Sequence, residues 1–170
     1  MNARLWTVCA LLVAVALLLQ VSLFSAFAWD GVVPDLVLMV VVAGALSRGG
    51  QFGMVLGFAA GVLLDLAPPA DHVAGRWALA LLVAGYVAGR VRQDTDRPSA
   101  TAVVATVAAC SFVATSVYAL AGLVLRDPAV GFGEVVKVIG VGLVWDVLLT
   151  PLVLPPLLAL FARLEPQRAR

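Results

Sequence analysis

Apolar residues run through this chain in long blocks, and polar residues are confined to the short gaps between them. No charged residue occurs from 5 to 29, nor from 98 to 125. Each block exceeds the roughly 20 residues that a helix needs to cross a bilayer. Four further apolar segments, 32–46, 51–67, 73–89 and 135–161, are shorter or carry a charge. The pattern predicts an all-α bundle of six spans in one integral membrane domain covering 1–170. A helical hairpin that enters the bilayer without crossing it is the alternative for the second and third segments.

Composition agrees with the pattern. Of the 170 residues, 63% are hydrophobic and 12% charged, and the mean hydropathy is +1.08. Soluble domains hold roughly 45–50% apolar and about 25% charged residues. One water-soluble core of this size could not bury so much apolar surface. A disordered chain, a disulfide scaffold and an ordinary soluble enzyme are excluded. The net charge of +1 gives no footing for a nucleic-acid partner.

The charges are distributed unevenly. With six spans, one set of polar segments carries Arg4, Arg48, Arg90, Arg92, Arg97, Arg163, Arg168 and Arg170, and the other carries Arg76, Arg126 and Lys137. Eight basic residues against three put both termini in the cytoplasm by the positive-inside rule. The acids lean outward: Asp30, Asp35, Asp65, Asp71, Asp127 and Glu134, against Asp94, Asp96 and Glu165 inside. The 26–28 Ala-Phe-Ala triplet imitates a signal-peptide cleavage site. The preceding apolar run is longer than the 7–15 residues of a signal core, so an uncleaved first span is expected. The segment from 90 to 99 reads as a cytoplasmic loop.

Several residues inside the apolar blocks carry candidate chemistry. Gly53, Gly57 and Gly61 lie four apart and share one helix face, and Gly85 and Gly89 repeat the spacing. Such ridges let helices approach closely, either within the bundle or against a partner subunit. Asp35 follows Pro34 at the start of the second span, where proline suits the first helical position and a carboxylate meets the positive end of the helix dipole. Asp65 closes the third span and is expected to accept hydrogen bonds from N–H groups of the 67–75 loop. Contact with an outside partner is the second reading for Asp35, and partner or ligand binding for Asp65.

Asp146 lies well inside the last span, where an ionisable group marks function by default. Gly142 and Thr150, four positions to either side, make that face small and polar. Pro151 removes a backbone donor, and Pro155 and Pro156 follow, so a broken helix beside a buried carboxylate is expected. The plainer reading has a protonated Asp146 hydrogen-bonded to Ser111, Thr115 or Tyr86 on a neighbouring span. No cationic side chain is expected at its depth. No catalytic set is recognisable, and Asp65 and Asp146 lack the Asn and Arg companions of membrane aspartyl peptidases. Cys9, Cys110 and His72 are too few for a structural zinc site, and no cofactor motif occurs.

The order of these features resembles the MreD family of rod shape-determining membrane proteins. Pro34-Asp35-Leu36 opens the second span, Arg48-Gly49-Gly50 turns into the third, and Gly57, Gly61 and Asp65 punctuate it. Gly75, Tyr86 and Gly89 follow, and a polar residue precedes Pro151. The resemblance implies a six-helix bundle similar to the substrate-binding S components of energy-coupling-factor transporters. It also implies a non-catalytic role with MreC in linking the cytoskeletal protein MreB to peptidoglycan synthases, RodA and its penicillin-binding partner. Pro34, Asp35, Gly57, Gly61, Asp65 and Gly75 match the family pattern as structural or contact positions. Position 146 departs from it, since the family more often has Asn there. The alternative is a binding subunit of a vitamin-like transporter, which would need a ligand-sized cavity opening outward between the first and last loops.

Overall fold

The computed structural model describes residues 3–29, 31–67, 73–94, 99–125 and 132–164. The predicted loop residues Asp30, Asp71, His72, Asp96, Arg97, Arg126, Asp127, Glu165, Arg168 and Arg170 lie outside the described residues. Six helices follow in order: α1 (Ala3–Ser22), α2 (Leu36–Arg48), α3 (Gly50–Leu66), α4 (Arg76–Asp94), α5 (Ala100–Val124) and α6 (Phe132–Arg163). Three of them, α1, α5 and α6, are long and apolar enough to cross a membrane. The all-α membrane bundle expected from the apolar blocks is the fold observed.

α2 is the centre of the bundle. Every residue from Leu36 to Leu46 is buried, as befits a helix that is hydrophobic all round. α1, α3, α4, α5 and α6 all pack against it. Exposed apolar side chains lie on the outer helices, among them Leu11 and Leu18 of α1 and Leu148 and Leu152 of α6.

Three predicted boundaries need correction. The first apolar run does not form one helix to residue 29: α1 ends at Ser22, a 3-10 turn covers Phe24–Phe27, and Trp29 bridges to Val32. The second span starts at Leu36 rather than 32 and holds 13 residues, about 20 Å at 1.5 Å per residue. The fourth extends to Asp94, so the first half of the expected 90–99 loop is helical.

The last helix is also unlike its prediction. α6 runs unbroken for 32 residues through Pro151, Pro155 and Pro156. The three prolines sit on the exposed side of α6, where a missing donor disturbs no packed neighbour. Transmembrane helices tolerate proline where local adjustment satisfies the freed groups.

α3 and α4 form the tightest pair in the bundle. A Cβ on Gly53 would meet the Gly85 backbone, and one on Gly57 would meet the backbone of Leu81. One on Gly61 would strike Ala78 and Trp77, and one on Gly89 would strike Gly50. Both glycine ridges are therefore spent on one internal contact. They are not the partner surface that was the other reading of them.

The first turns of α1 and the end of α6 both approach the α2–α3 junction, at one end of the bundle. The Arg48 Nη2 donates to the carbonyl oxygen of Leu164 at 2.9 Å, beyond the last turn of α6. Its guanidinium lies 5.8 Å from the Phe52 ring centroid. Phe52 in turn packs against Trp6 of α1 at 5.2 Å and edge-on against Phe161 at 6.4 Å. A cation at a helix C-terminus complements the negative end of its dipole.

Candidate functional site

The candidate site lies where α2 begins, below the rim of the opposite end of the bundle. Asp35 is the N-cap of α2 and its Oδ1 accepts from the Leu38 N–H at 2.8 Å. Pro34 is thus outside the helix, two positions before its first residue, and not in the first turn as expected. It is fully buried, and proline holds the residue before it extended. The backbone N–H of Asp35 donates to Asp146 Oδ1 at 2.8 Å. Ser111 of α5 donates its hydroxyl to Asp146 Oδ2 at 2.6 Å. Gln20 of α1 accepts from the Val37 N–H through its Oε1 at 3.4 Å.

Side chains from α1 and α6 thus supply acceptors to the first turn of α2, and α5 supports one of them. The first N–H groups of any helix lack internal partners, and together they carry about half a positive charge. Asp146 was expected to have no positive partner. It has one, and it is a helix end. Asp146 sits 14 positions along α6, roughly 21 Å from its start at 1.5 Å per residue, so the start of α2 is sunk well into the bundle. This explains why α2 is short.

Of the partners considered for Asp146, Ser111 is the one observed. Thr115 donates to the Ser111 carbonyl within α5, and Tyr86 is exposed on α4. Asp146 is 2% exposed and Thr150 is equally buried, so the small polar face does point inward. The Thr150 hydroxyl donates to the Asp146 carbonyl at 2.7 Å.

Over the sunken start of α2 lies a cavity of about 210 Å³. Asp35, Asp146, Ser111 and Gln20 form its polar part, and Trp77 contributes an aromatic wall. Gly31 and Val32 of the α1–α2 connection and Val138 of α6 line it as well, and all three are at least partly exposed.

Asp65 and Gly75 come together at a second helix start. Gly75 precedes α4 with φ +99°, a conformation that suits glycine and leaves that helix without a capping side chain of its own. Asp65, from the end of α3, takes the part. Its Oδ2 accepts from the N–H groups of Gly75 at 2.8 Å and Ala78 at 3.0 Å, and Oδ1 accepts from Trp77 at 3.1 Å. The hydrogen bonds expected of Asp65 are made, though to the first turn of α4 as well as to the loop. Gly57 and Gly61, on the same helix, hold α4 close enough for this.

Gln20, Trp77 and Arg76 were not singled out in the sequence. Gln20 is the one amide in the first apolar run and could have been read as a buried hydrogen-bonding group. Arg76, counted as an outer-loop charge, is 3% exposed. Its guanidinium donates twice to the Tyr118 carbonyl, at 3.3 and 3.1 Å, and lies 3.9 Å from that ring's centroid.

These features define an integral membrane helical bundle whose three prominent aspartates all serve helix N-termini. Among the described residues no group of three or more His, Cys, Asp or Glu could hold a metal ion. The chain belongs to the MreD family: the profile described as rod shape-determining protein MreD matches residues 2–163, which takes in all six helices. It is therefore a rod shape-determining membrane protein by family. No curated protein and no solved structure matches the chain.

Proposed function

We propose that this chain is a non-catalytic component of the bacterial cell-elongation machinery, seated in the cytoplasmic membrane with both termini inside. There it works with an MreC-like protein to link MreB to the RodA and penicillin-binding synthases. The observation that carries this reading is the family match over the whole bundle. Two features support it. The aspartates that invite a catalytic reading are occupied as helix caps. The cytoplasmic assignment rests on the arginine bias, and the contacts of Arg48 and Phe52 bring Trp6 of α1 and Leu164 after α6 to the same end of the bundle.

The vitamin-transporter alternative asks for a ligand-sized cavity between the first and last loops. The cavity beside the α1–α2 connection, between α5 and α6, is about 210 Å³, below the roughly 300–1,000 Å³ typical of small-molecule pockets. Complementation is the test. Expressed in a rod-shaped bacterium depleted of its own MreD, the chain should restore rod shape and co-purify with the elongation synthases. Cells that stay round although the chain reaches the membrane would refute the proposal.

A further inference from the structure

The cavity over the start of α2 has chemistry that helix capping does not use up. Asp35 and Asp146 both face it, and among the described residues no cationic side chain lines it. Among the described residues Asp146 accepts two hydrogen bonds, one at each oxygen, whereas a carboxylate has about four acceptor sites. The positive end of α2 amounts to about half a charge, which does not balance two carboxylates. A like-charged pair in a low-dielectric site needs a proton or a cation between its members. A shared proton needs no space, and here there is a cavity.

The walls indicate which cation. Beyond the acids, the lining is mainly aliphatic, with the Trp77 ring beside it. Trp77 itself is held by stacking on Tyr118, with ring centroids 4.5 Å apart. A metal ion would want a shell of six or more oxygens, whereas oxygens of Gln20, Asp35 and Asp146 here already accept hydrogen bonds and no group of three or more His, Cys, Asp or Glu is found among the described residues. A carboxylate pair with an indole ring in the wall suits an organic cation, through charge-assisted hydrogen bonds and contact with the aromatic ring. The volume admits a head group with a short stem, not a cofactor.

We propose that this cavity binds an alkylammonium or guanidinium group, held by Asp35 and Asp146 and covered by Trp77. The cation comes either from a small free amine or from a lysine or arginine of a neighbouring membrane segment. This goes beyond the role in cell shape and is tested without reference to it.

The test is calorimetric titration of the full chain in lipid nanodiscs with methylguanidinium and propylammonium, with neutral N-methylurea as control. Two variants separate binding from folding. In Asp146→Asn the amide oxygen still accepts from Asp35 and its NH₂ faces the Ser111 hydroxyl, so the fold is kept while the charge goes. In Gly142→Leu a Cβ meets only Val32 Cγ1, at 3.8 Å, and the rest of the side chain fills the cavity. The cations should bind wild type at least tenfold more tightly than methylurea, and each variant should lose at least tenfold in affinity. Cations that bind no better than methylurea, or that bind both variants as well as wild type, would overturn the proposal. Native mass spectrometry then distinguishes the sources. A free amine appears as a mass adduct missing from Asp146→Asn. A partner side chain instead gives a photo-crosslink from position 138 that methylguanidinium competes away.

Discussion

Asp65 holds three backbone N–H groups on two oxygens while 4% exposed. A buried carboxylate is costly unless its lone pairs are satisfied, and a helix start is among the few places that offer several donors at once. Replacing Asp65 by alanine removes the acceptors of all three hydrogen bonds, and loss of a cap costs up to about 2 kcal/mol. Asparagine keeps one oxygen, so about half that loss is expected. Thermal unfolding in detergent should therefore rank wild type above Asp65→Asn and Asp65→Ala lowest. The reverse order for the two variants would mean that the carboxylate is not a cap.

The residues of the site were largely visible in the sequence, because an aspartate in an apolar block stands out. Their partners were not. A search for a cationic side chain opposite Asp146 overlooks the backbone, since the positive end of α2 exists only once α2 has formed with its start inside the bundle. Asp65 was easier, because the loop it serves follows it directly.

Among the elements, the α3–α4 hairpin is the most exacting. Lipid gives no hydrophobic drive to helix association, so close backbone approach supplies the packing. Overpacking costs typically 1–3 kcal/mol where side chains can shift, and at Gly57 the obstacle is the Leu81 backbone. Gly57→Leu should lower stability by about 3 kcal/mol or more, read as loss of folded monomer on gel filtration in detergent. Gly140 is the control: a Cβ there meets nothing within 4 Å. Gly140→Ala should be neutral or slightly stabilising, because alanine favours helix by roughly 0.5–1 kcal/mol. Equal damage at both positions would contradict the packing account.

Apolar runs located the helices well where a polar or glycine signal closes them, as at Gly50 and Leu66. They failed where the chain stays apolar while its geometry changes. Nothing between Ser22 and Trp29 announces the 3-10 turn. The prolines of α6 announced a break that does not occur, because they lie on its exposed side.

At the scale of the whole molecule, two polarities coincide. Arg48 closes the C-terminal end of α6 at one end of the bundle, while Asp35, Asp65 and Asp146 close the starts of α2 and α4. Cations thus sit at a helix C-terminus and anions at helix N-termini, the arrangement that helix dipoles favour. The same sorting appears in the sequence as the arginine bias on which the proposed orientation rests. With the orientation proposed above, the cavity lies on the outer side of the membrane.

The measurement that bears most directly on this layout is a set of dual-reporter fusions, pairing alkaline phosphatase with a cytoplasm-active fluorescent protein. Fusions at residue 3, after Arg48 and after Leu164 should fluoresce and lack phosphatase activity, whereas insertions at Gly31 and Val73 should show the opposite. Phosphatase activity at one chain end with fluorescence at the other would contradict the account.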